Sequence, residues 1–290
     1  MSTIASALAA STAVNALPVI NLEELGDSEQ HTPAHSRLAH IARETGFFYL
    51  EGHGISPEHI ARLEAAARQF FALPAAAKQQ IAIAQTRHFR GYTGVGGEIT
   101  RLQPDLREQI DFGEELPAVP PSPETPQWWG LQGPNQWPQA QPTLQSEILL
   151  WLDTTRAVAQ RLLKAFLVAL EQPATALNQL VASPHNHRLK IIHYPGQGSG
   201  QSDQGVGPHK DGGLLTLLLQ DQVGGLQVQT PQGWLDVPPR KNAFVINIGE
   251  MLELATNGYL RANVHRVRSP GAGVSRYSIA YFFSPSLHAH

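Results

Sequence analysis

The chain of 290 residues contains no cysteine. That absence removes disulfides, thiolate nucleophiles, cysteine-ligated zinc and iron–sulfur clusters together, so any metal chemistry must rest on imidazole and oxygen. Charge is scarce as well: charged residues make up 16% of the chain, 21 basic against 24 acidic, for a net charge of -3. This balance gives neither the basic footprint of a nucleic-acid binder nor an acidic tail, and it predicts a small-molecule partner. Long apolar runs are also missing. The best candidate, Leu214 to Leu219, falls far short of the roughly 20 residues a membrane-spanning helix needs, so no membrane partner is expected. The start, MSTIASALAASTAVNA, has no basic residue before Arg37 and lacks the positive n-region of a signal peptide. Residues 1–16 are expected to be a flexible N-terminus, and the compartment the cytoplasm.

What is present changes character along the chain. The apolar run Leu17 to Leu22 reads as a strand, and Leu38, Ile41 and Ala42 recur at helical spacing over 34–45. Phe47 to Leu50 reads as a short strand, and Ser56-Pro57 as a cap and first turn for a helix to about Leu73. Gly91, Gly94, Gly96 and Gly97 mark an Arg-rich irregular ribbon, and residues 116–142 form an extended segment dense in Pro and Trp. From Thr143 to Glu171 a 3.6-residue period predicts the longest helix, closed by Pro173. Beyond Ala182 the period becomes 2, with strands predicted at 189–194, 214–220, 226–229, 243–248, 264–267 and 276–283. The expected fold is mainly β with flanking helices, a double-stranded β-helix (jelly-roll) core braced by a long helix and an N-terminal helical region. It divides into 17–142, the bracing helices 143–182, and the core 183–286.

His209 and Asp211 are two residues apart, and in extended chain both side chains point to one side. Alone, such a triplet arises too easily by chance to carry weight. His265 offers a third ligand, and Arg276 and Ser278 repeat the same-face spacing on the final strand. The turn-forming Ser269 to Gly273 predicts a hairpin with His265 and Arg276 on neighbouring antiparallel strands. Two histidines and one carboxylate on one face of an octahedral ion leave the opposite face open, which suits non-heme Fe(II) binding a co-substrate and O2. A guanidinium nearby would grip a second carboxylate through paired hydrogen bonds.

At these residues the sequence resembles the 2-oxoglutarate and Fe(II)-dependent dioxygenases of the isopenicillin N synthase-like group. The motifs are Pro208-His-Lys-Asp-Gly-Gly-Leu-Leu-Thr-Leu-Leu-Leu-Gln-Asp221, Gly224-Gly-Leu-Gln-Val228, Asn247-Ile-Gly249, Thr256-Asn-Gly258, His265-Arg-Val267 and Arg276-Tyr-Ser278. The helical half contributes Leu17-Pro-Val-Ile-Asn-Leu22, Gly46-Phe-Phe-Tyr-Leu50 with His53-Gly-Ile55, and Asp105-Leu-Arg-Glu108 leading to Asp111-Phe-Gly113. The resemblance implies Fe(II) bound by His209, Asp211 and His265, and 2-oxoglutarate held by Arg276 and Ser278 with Tyr194 against it. It further implies O2-dependent oxidation of a small metabolite by hydroxylation, desaturation or ring closure, with release of succinate and CO2. Ile192, where many plant members have Asn, looks more like the isopenicillin N synthase branch. Two alternatives stand beside this reading: an Fe(II) oxidase that dispenses with 2-oxoglutarate, its Arg-x-Ser pair gripping the substrate carboxylate, and a non-catalytic jelly-roll binding module.

Phe282 keeps the even spacing of Arg276 and Ser278 and should line the substrate cavity. Arg87, Arg90 and Arg101 are the ribbon's candidates for an anionic substrate group, with Tyr92 beside Arg90 at the substrate mouth. His185 and His187 are expected in a surface turn, His193 packed facing away from the site, His288 and His290 mobile, and Trp128, Trp129 and Trp137 in packing.

Overall fold

The computed structural model describes residues 16–27, 29–196 and 202–289. The terminus expected to be flexible lies, except for Ala16, outside the described residues, as does His290. Strand β1 (Val19–Asn21) runs directly into helix α1 (Leu22–Leu25), whose first turn is capped by the Asn21 side chain accepting from the Glu23 amide. Helix α2 (Pro33–Glu44) buries Leu38, Ile41 and Ala42, the residues whose spacing marks it. It ends where Gly46 turns left-handed at φ +63°, a position where a Cβ would strike the Arg261 carbonyl. Strand β2 (Phe47–Glu51) and helix α3 (Pro57–Phe71) follow, the latter capped as expected by Ser56 Oγ accepting from the His59 amide at 3.2 Å.

Helix α4 (Ala75–Gln79) leads into the ribbon, which contains β3 (Gly91–Thr93), the small pair β4 (Ile99–Thr100) and β5 (Gln103–Pro104), and β6 (Glu108–Gly113). Helix α5 (Thr143–Ala169) is the long brace, about 40 Å at 1.5 Å per residue. It packs against α2, α3 and the sheet strands that follow. These are β7 (Arg188–Tyr194), β8 (Gln204–His209), β9 (Leu215–Gln220), β10 (Leu226–Thr230), β11 (Gly233–Asp236) and β12 (Phe244–Ile248). Helix α6 (Glu250–Ala255), β13 (His265–Arg268) and β14 (Arg276–Phe283) complete the chain. Among the described residues no helix is long and apolar enough to cross a membrane.

Two sheets face each other. The larger has the order β1-β2-β12-β9-β14-β7-β6-β3 and the smaller β11-β10-β13-β8. Every pairing in them is antiparallel except β1 with β2. The period of 2 decides which side chains meet. On β14, Ile279, Tyr281 and Phe283 join the helices in the main core, while Arg276, Ser278, Ala280 and Phe282 face the space between the sheets. A second apolar cluster, including Tyr49, Ile192, Val206, Val228, Val245 and Val267, fills part of that space.

Several expectations need correction. The Ser269 to Gly273 turn does not make a hairpin. Both edges of β13 are occupied, by β10 and β8, so the chain crosses to the larger sheet and inserts β14 between β7 and β9. His265 and Arg276 therefore face each other across the sandwich rather than along one sheet. His187 is not in a surface turn but buried, its Nδ1 2.7 Å from the Tyr281 hydroxyl and its ring stacked on His185. His288 packs against Trp129 with ring centroids 4.3 Å apart. Trp137 stacks on Phe112, but Trp128 is exposed.

Candidate active site

His209 ends β8 and His265 begins β13, and the two stand directly opposite in the antiparallel register. Opposed residues project to the same face, so the imidazoles meet, ring centroids 4.2 Å apart. His209 Nδ1 donates to the Gly207 carbonyl at 2.8 Å, and His265 Nδ1 lies 3.4 Å from the Asn263 carbonyl. Both rings thus present Nε2 to one oxygen, Asp211 Oδ1, at 3.5 and 3.8 Å. The other oxygen, Oδ2, accepts from Thr216 Oγ1 at 2.6 Å and Asn247 Nδ2 at 2.9 Å. The three ligand atoms lie within 4.8 Å of one another.

Electrostatics match a cation between them. Burial by itself would raise the Asp211 carboxyl, but His265, His209 and the Thr216 hydroxyl hold it well below the usual carboxylate range. Burial pushes His265 down, toward the neutral form a metal requires; burial opposes but does not prevent a rise at His209, driven by Asp211. Two imidazole nitrogens and a carboxylate oxygen, each oriented by hydrogen bonding at its far side, form a donor set for a first-row divalent metal with open positions.

The same cavity is lined by Tyr194, Arg276, Ser278, Phe282, Ile192 and Arg107. Arg276 is wholly buried. Its guanidinium donates to the Gly224 carbonyl, to Gln220 Oε1 at 3.0 Å and to Ser278 Oγ at 3.3 Å, and lies 4.7 Å from the centre of the Tyr194 ring. Among the described residues no carboxylate pairs with it. A buried cation left to neutral acceptors is costly, and a ligand carboxylate facing Ser278 would offset that cost. The residues present therefore fit both a non-heme iron and a 2-oxoacid with a distal carboxylate.

The structure brings together His209, Asp211, His265, Arg276, Ser278, Tyr194 and Phe282 around one cavity. It does not bring Tyr92 there. Tyr92 opposes Ile110 on the reverse face of the sheet, its hydroxyl donating to Glu108 Oε2 at 2.6 Å beside Lys78 and His193. His193 faces that same side, as its alternation with Tyr194 requires. Arg87 is exposed and lies against Gly130, and Arg101 donates to the Pro208 carbonyl on the outside. Arg90 is buried with its guanidinium over Gly113. Thr216, Asn247 and Arg107 were not singled out by sequence, although each sits inside one of the quoted motifs; a polar residue at an inward position of an apolar strand is the signal that finds the first two.

Residues 17–140 match the family described as the N-terminal region of non-haem dioxygenases in morphine synthesis, and residues 185–285 match the 2OG-Fe(II) oxygenase superfamily. The chain is 33% identical to a probable iron/ascorbate oxidoreductase of Dictyostelium discoideum, over 96% of this chain and 83% of that protein. It is 34% identical to a 2-oxoglutarate-dependent dioxygenase of Dothideomycetidae sp., over 95% and 76%. Among solved structures it is similar to a Neurospora crassa protein in complex with alpha-KG and thymine, with a TM-score of 0.78, 29% identity, and coverage of 93% of this chain and 86% of that one.

Proposed function

This chain belongs to the 2OG-Fe(II) oxygenase superfamily, and on that premise we propose that His209, Asp211 and His265 hold its Fe(II) while Arg276, Ser278 and Tyr194 receive 2-oxoglutarate. The observation that carries the assignment is the convergence of three ligand atoms within 4.8 Å, in the same cavity as a wholly buried arginine with no carboxylate partner.

When bound, the iron and 2-oxoglutarate supply an O2-derived oxidant together with succinate and CO2. The chain's own residues do the rest. Thr216 and Asn247 fix the Asp211 carboxylate so that one oxygen is committed to the metal. Gly207 and Asn263 fix the imidazole tautomers through their carbonyls. Arg276 and Ser278 anchor the distal carboxylate and thereby set the reach of the keto acid end toward the metal. Phe282 and Ile192 give the cavity apolar wall that excludes water and positions a substrate C–H bond.

The substrate is a small metabolite, and the outcome hydroxylation, desaturation or ring closure. The low, nearly balanced charge supports an enzyme that takes free metabolites rather than nucleic acid. The division into 17–142, 143–182 and 183–286 is supported by the origin of the site: the last segment provides all three proposed ligands and Arg276, the first the ribbon beside them, and α5 the brace.

Succinate release from 2-oxoglutarate tests the cosubstrate assignment. Arg276→Gln should raise the KM for 2-oxoglutarate by at least ten-fold; an unchanged KM would overturn it.

A further inference from the structure

One row of the larger sheet crosses the site. Asn247, Thr216, Phe282, Arg188 and Gly113 lie opposite one another in turn on β12, β9, β14, β7 and β6. Directly opposed residues share a face, so Arg188 lies on the same face of the sheet as Phe282 and the two residues that hold Asp211, beyond the residues that line the cavity itself. At the Gly113 position there is no side chain, and a Cβ there would collide with the Arg90 guanidinium. Arg90 therefore fills the place of an inward side chain on β6. The row has the metal-binding carboxylate's supports at one end, an apolar ring in the middle and two guanidinium groups at the other end.

These two cations differ from their neighbours. Arg107 is ion-paired to Glu98, and Lys190, one step further along β7, lies 3.3 Å from Glu98 and 3.6 Å from Asp111. Arg188 and Arg90 have no carboxylate within ion-pair distance among the described residues. The nearest acids are occupied: Asp111 by Gln109 and Lys190, and Glu115 by Asn135. Among the described residues Arg90 donates only to the His88 and Phe89 carbonyls, and its buried Nε has no partner. Among the described residues the Arg188 side chain makes no hydrogen bond or ion pair; its guanidinium carbon lies 4.9 Å from the centre of the Phe89 ring, and Asp111 favours its charge only from a distance. Phe89 itself is held at φ +57°, a left-handed conformation that bulky residues rarely adopt. That fold of residues 88–90 puts the Phe89 ring under one guanidinium and sends the other over Gly113.

We propose that Arg188 and Arg90 form an anion clamp that selects, as substrates, small metabolites carrying a carboxylate, held so that the carbon to be oxidised lies near Asp211 and the carboxylate roughly 10 Å away, about two strand spacings along the row. The inference rests on the function proposed above and specifies its substrate class. Phe282 floors the gap between the two ends, which matches an apolar linking segment in the substrate. Two guanidinium groups side by side repel each other, and a shared carboxylate would convert that repulsion into paired, charge-assisted hydrogen bonds. Burial and the neighbouring Arg188 lower Arg90 to about 10, with Asp111 and Glu115 offsetting only part of the fall, the direction expected of a cation awaiting an anion.

The test compares hexanoic, octanoic and 5-phenylpentanoic acids with their primary amides, which keep the shape and lose the charge. The readouts are the perturbation of the visible charge-transfer band of the anaerobic Fe(II)–2-oxoglutarate enzyme and the stimulation of succinate release. Wild type should bind at least one acid ten-fold or more tightly than its amide. In Arg188→Gln that ratio should fall to near one through weaker binding of the acid, with the amide changing less than two-fold. Gly113→Ala, whose added methyl meets the Arg90 guanidinium first, should reduce the ratio as well, and it serves where Arg90→Gln fails to fold. Equal binding of acids and amides, no binding of any acid, or an acid preference that survives Arg188→Gln would overturn the clamp. The band of wild type with 2-oxoglutarate alone reports the proposed function separately: no band defeats that function, whereas a band without acid preference defeats only the clamp.

Discussion

His209 and His265 stand directly opposite each other on β8 and β13, and each turns its Nε2 toward Asp211 Oδ1. The site is thus assembled between strands distant in sequence. Its rigidity comes from the smaller sheet's pairing for the histidines, and from two residues of the larger sheet, Thr216 and Asn247, for the carboxylate.

That division predicts the effect of loosening the carboxylate alone. Thr216→Val and Asn247→Ala each remove one hydrogen bond from Oδ2 and leave all three proposed ligands in place. Loss of such a supporting contact lowers metal affinity roughly 10–100-fold. Fe(II) titration under anaerobic conditions should show weaker binding in each variant, with the double variant weaker still; wild-type affinity in both would remove Asp211 from the metal site.

On the reverse face of β6, Lys78 Nζ pairs with Glu108 Oε2 at 2.7 Å, with both side chains buried, and Tyr92 and His193 complete the carboxylate's contacts. Breaking a buried pair from one side leaves an uncompensated charge and costs about 3–5 kcal/mol. Lys78→Met should therefore lower the midpoint of chemical unfolding strongly, and the double variant Lys78→Met/Glu108→Gln should recover a large part of the loss. A single variant as stable as wild type would contradict the network.

Burial, with smaller contributions from His185 and Arg156, depresses His187 to about 3. The unfolded chain takes up a proton at this residue near pH 6.5, while the folded chain stays neutral there, so stability should decline as pH falls from 6.5 toward 3. Glu108 is lowered to about 2 by His193, Lys78 and Tyr92 against the raising effect of burial. Its ionised form stabilises the fold above about pH 4.5, and that contribution is lost as pH falls from there toward 2. Between pH 6.5 and 4.5 the His187 contribution should amount to about 2 kcal/mol. Urea unfolding across that window should show a shallower pH dependence in His187→Asn than in wild type; identical slopes would count against a neutral buried imidazole.

Much of this organisation was legible in the sequence, and the reasons are local. The 3.6 period over 143–171 reveals α5 because one face of a bracing helix must be apolar. Arg276, Ser278 and Phe282 could be read as one face because β14 alternates cleanly. Strand β8 was not visible: Gln204-Gly-Val-Gly-Pro-His209 has two glycines, a proline and a single large apolar residue, and it is a strand because β13 supplies its partners. The turn after β13 was visible, but not its outcome, since whether a turn closes a hairpin depends on whether the preceding strand has a free edge. Arg188 was missed for a related reason. It follows a His-Asn-His segment with no motif, and only the register with Phe282 and Gly113 turns it inward. Tyr92 and Arg90 were proposed together as near neighbours, yet they occupy opposite faces of the sheet.

The assignment of the metal centre is tested most directly by anaerobic addition of Fe(II) and 2-oxoglutarate, followed by visible absorption. Wild type should develop a weak charge-transfer band that requires both additions, and Asp211→Ala, still folded, should develop none. No band in wild type, or an undiminished band in Asp211→Ala, would contradict an iron site built on His209, Asp211 and His265.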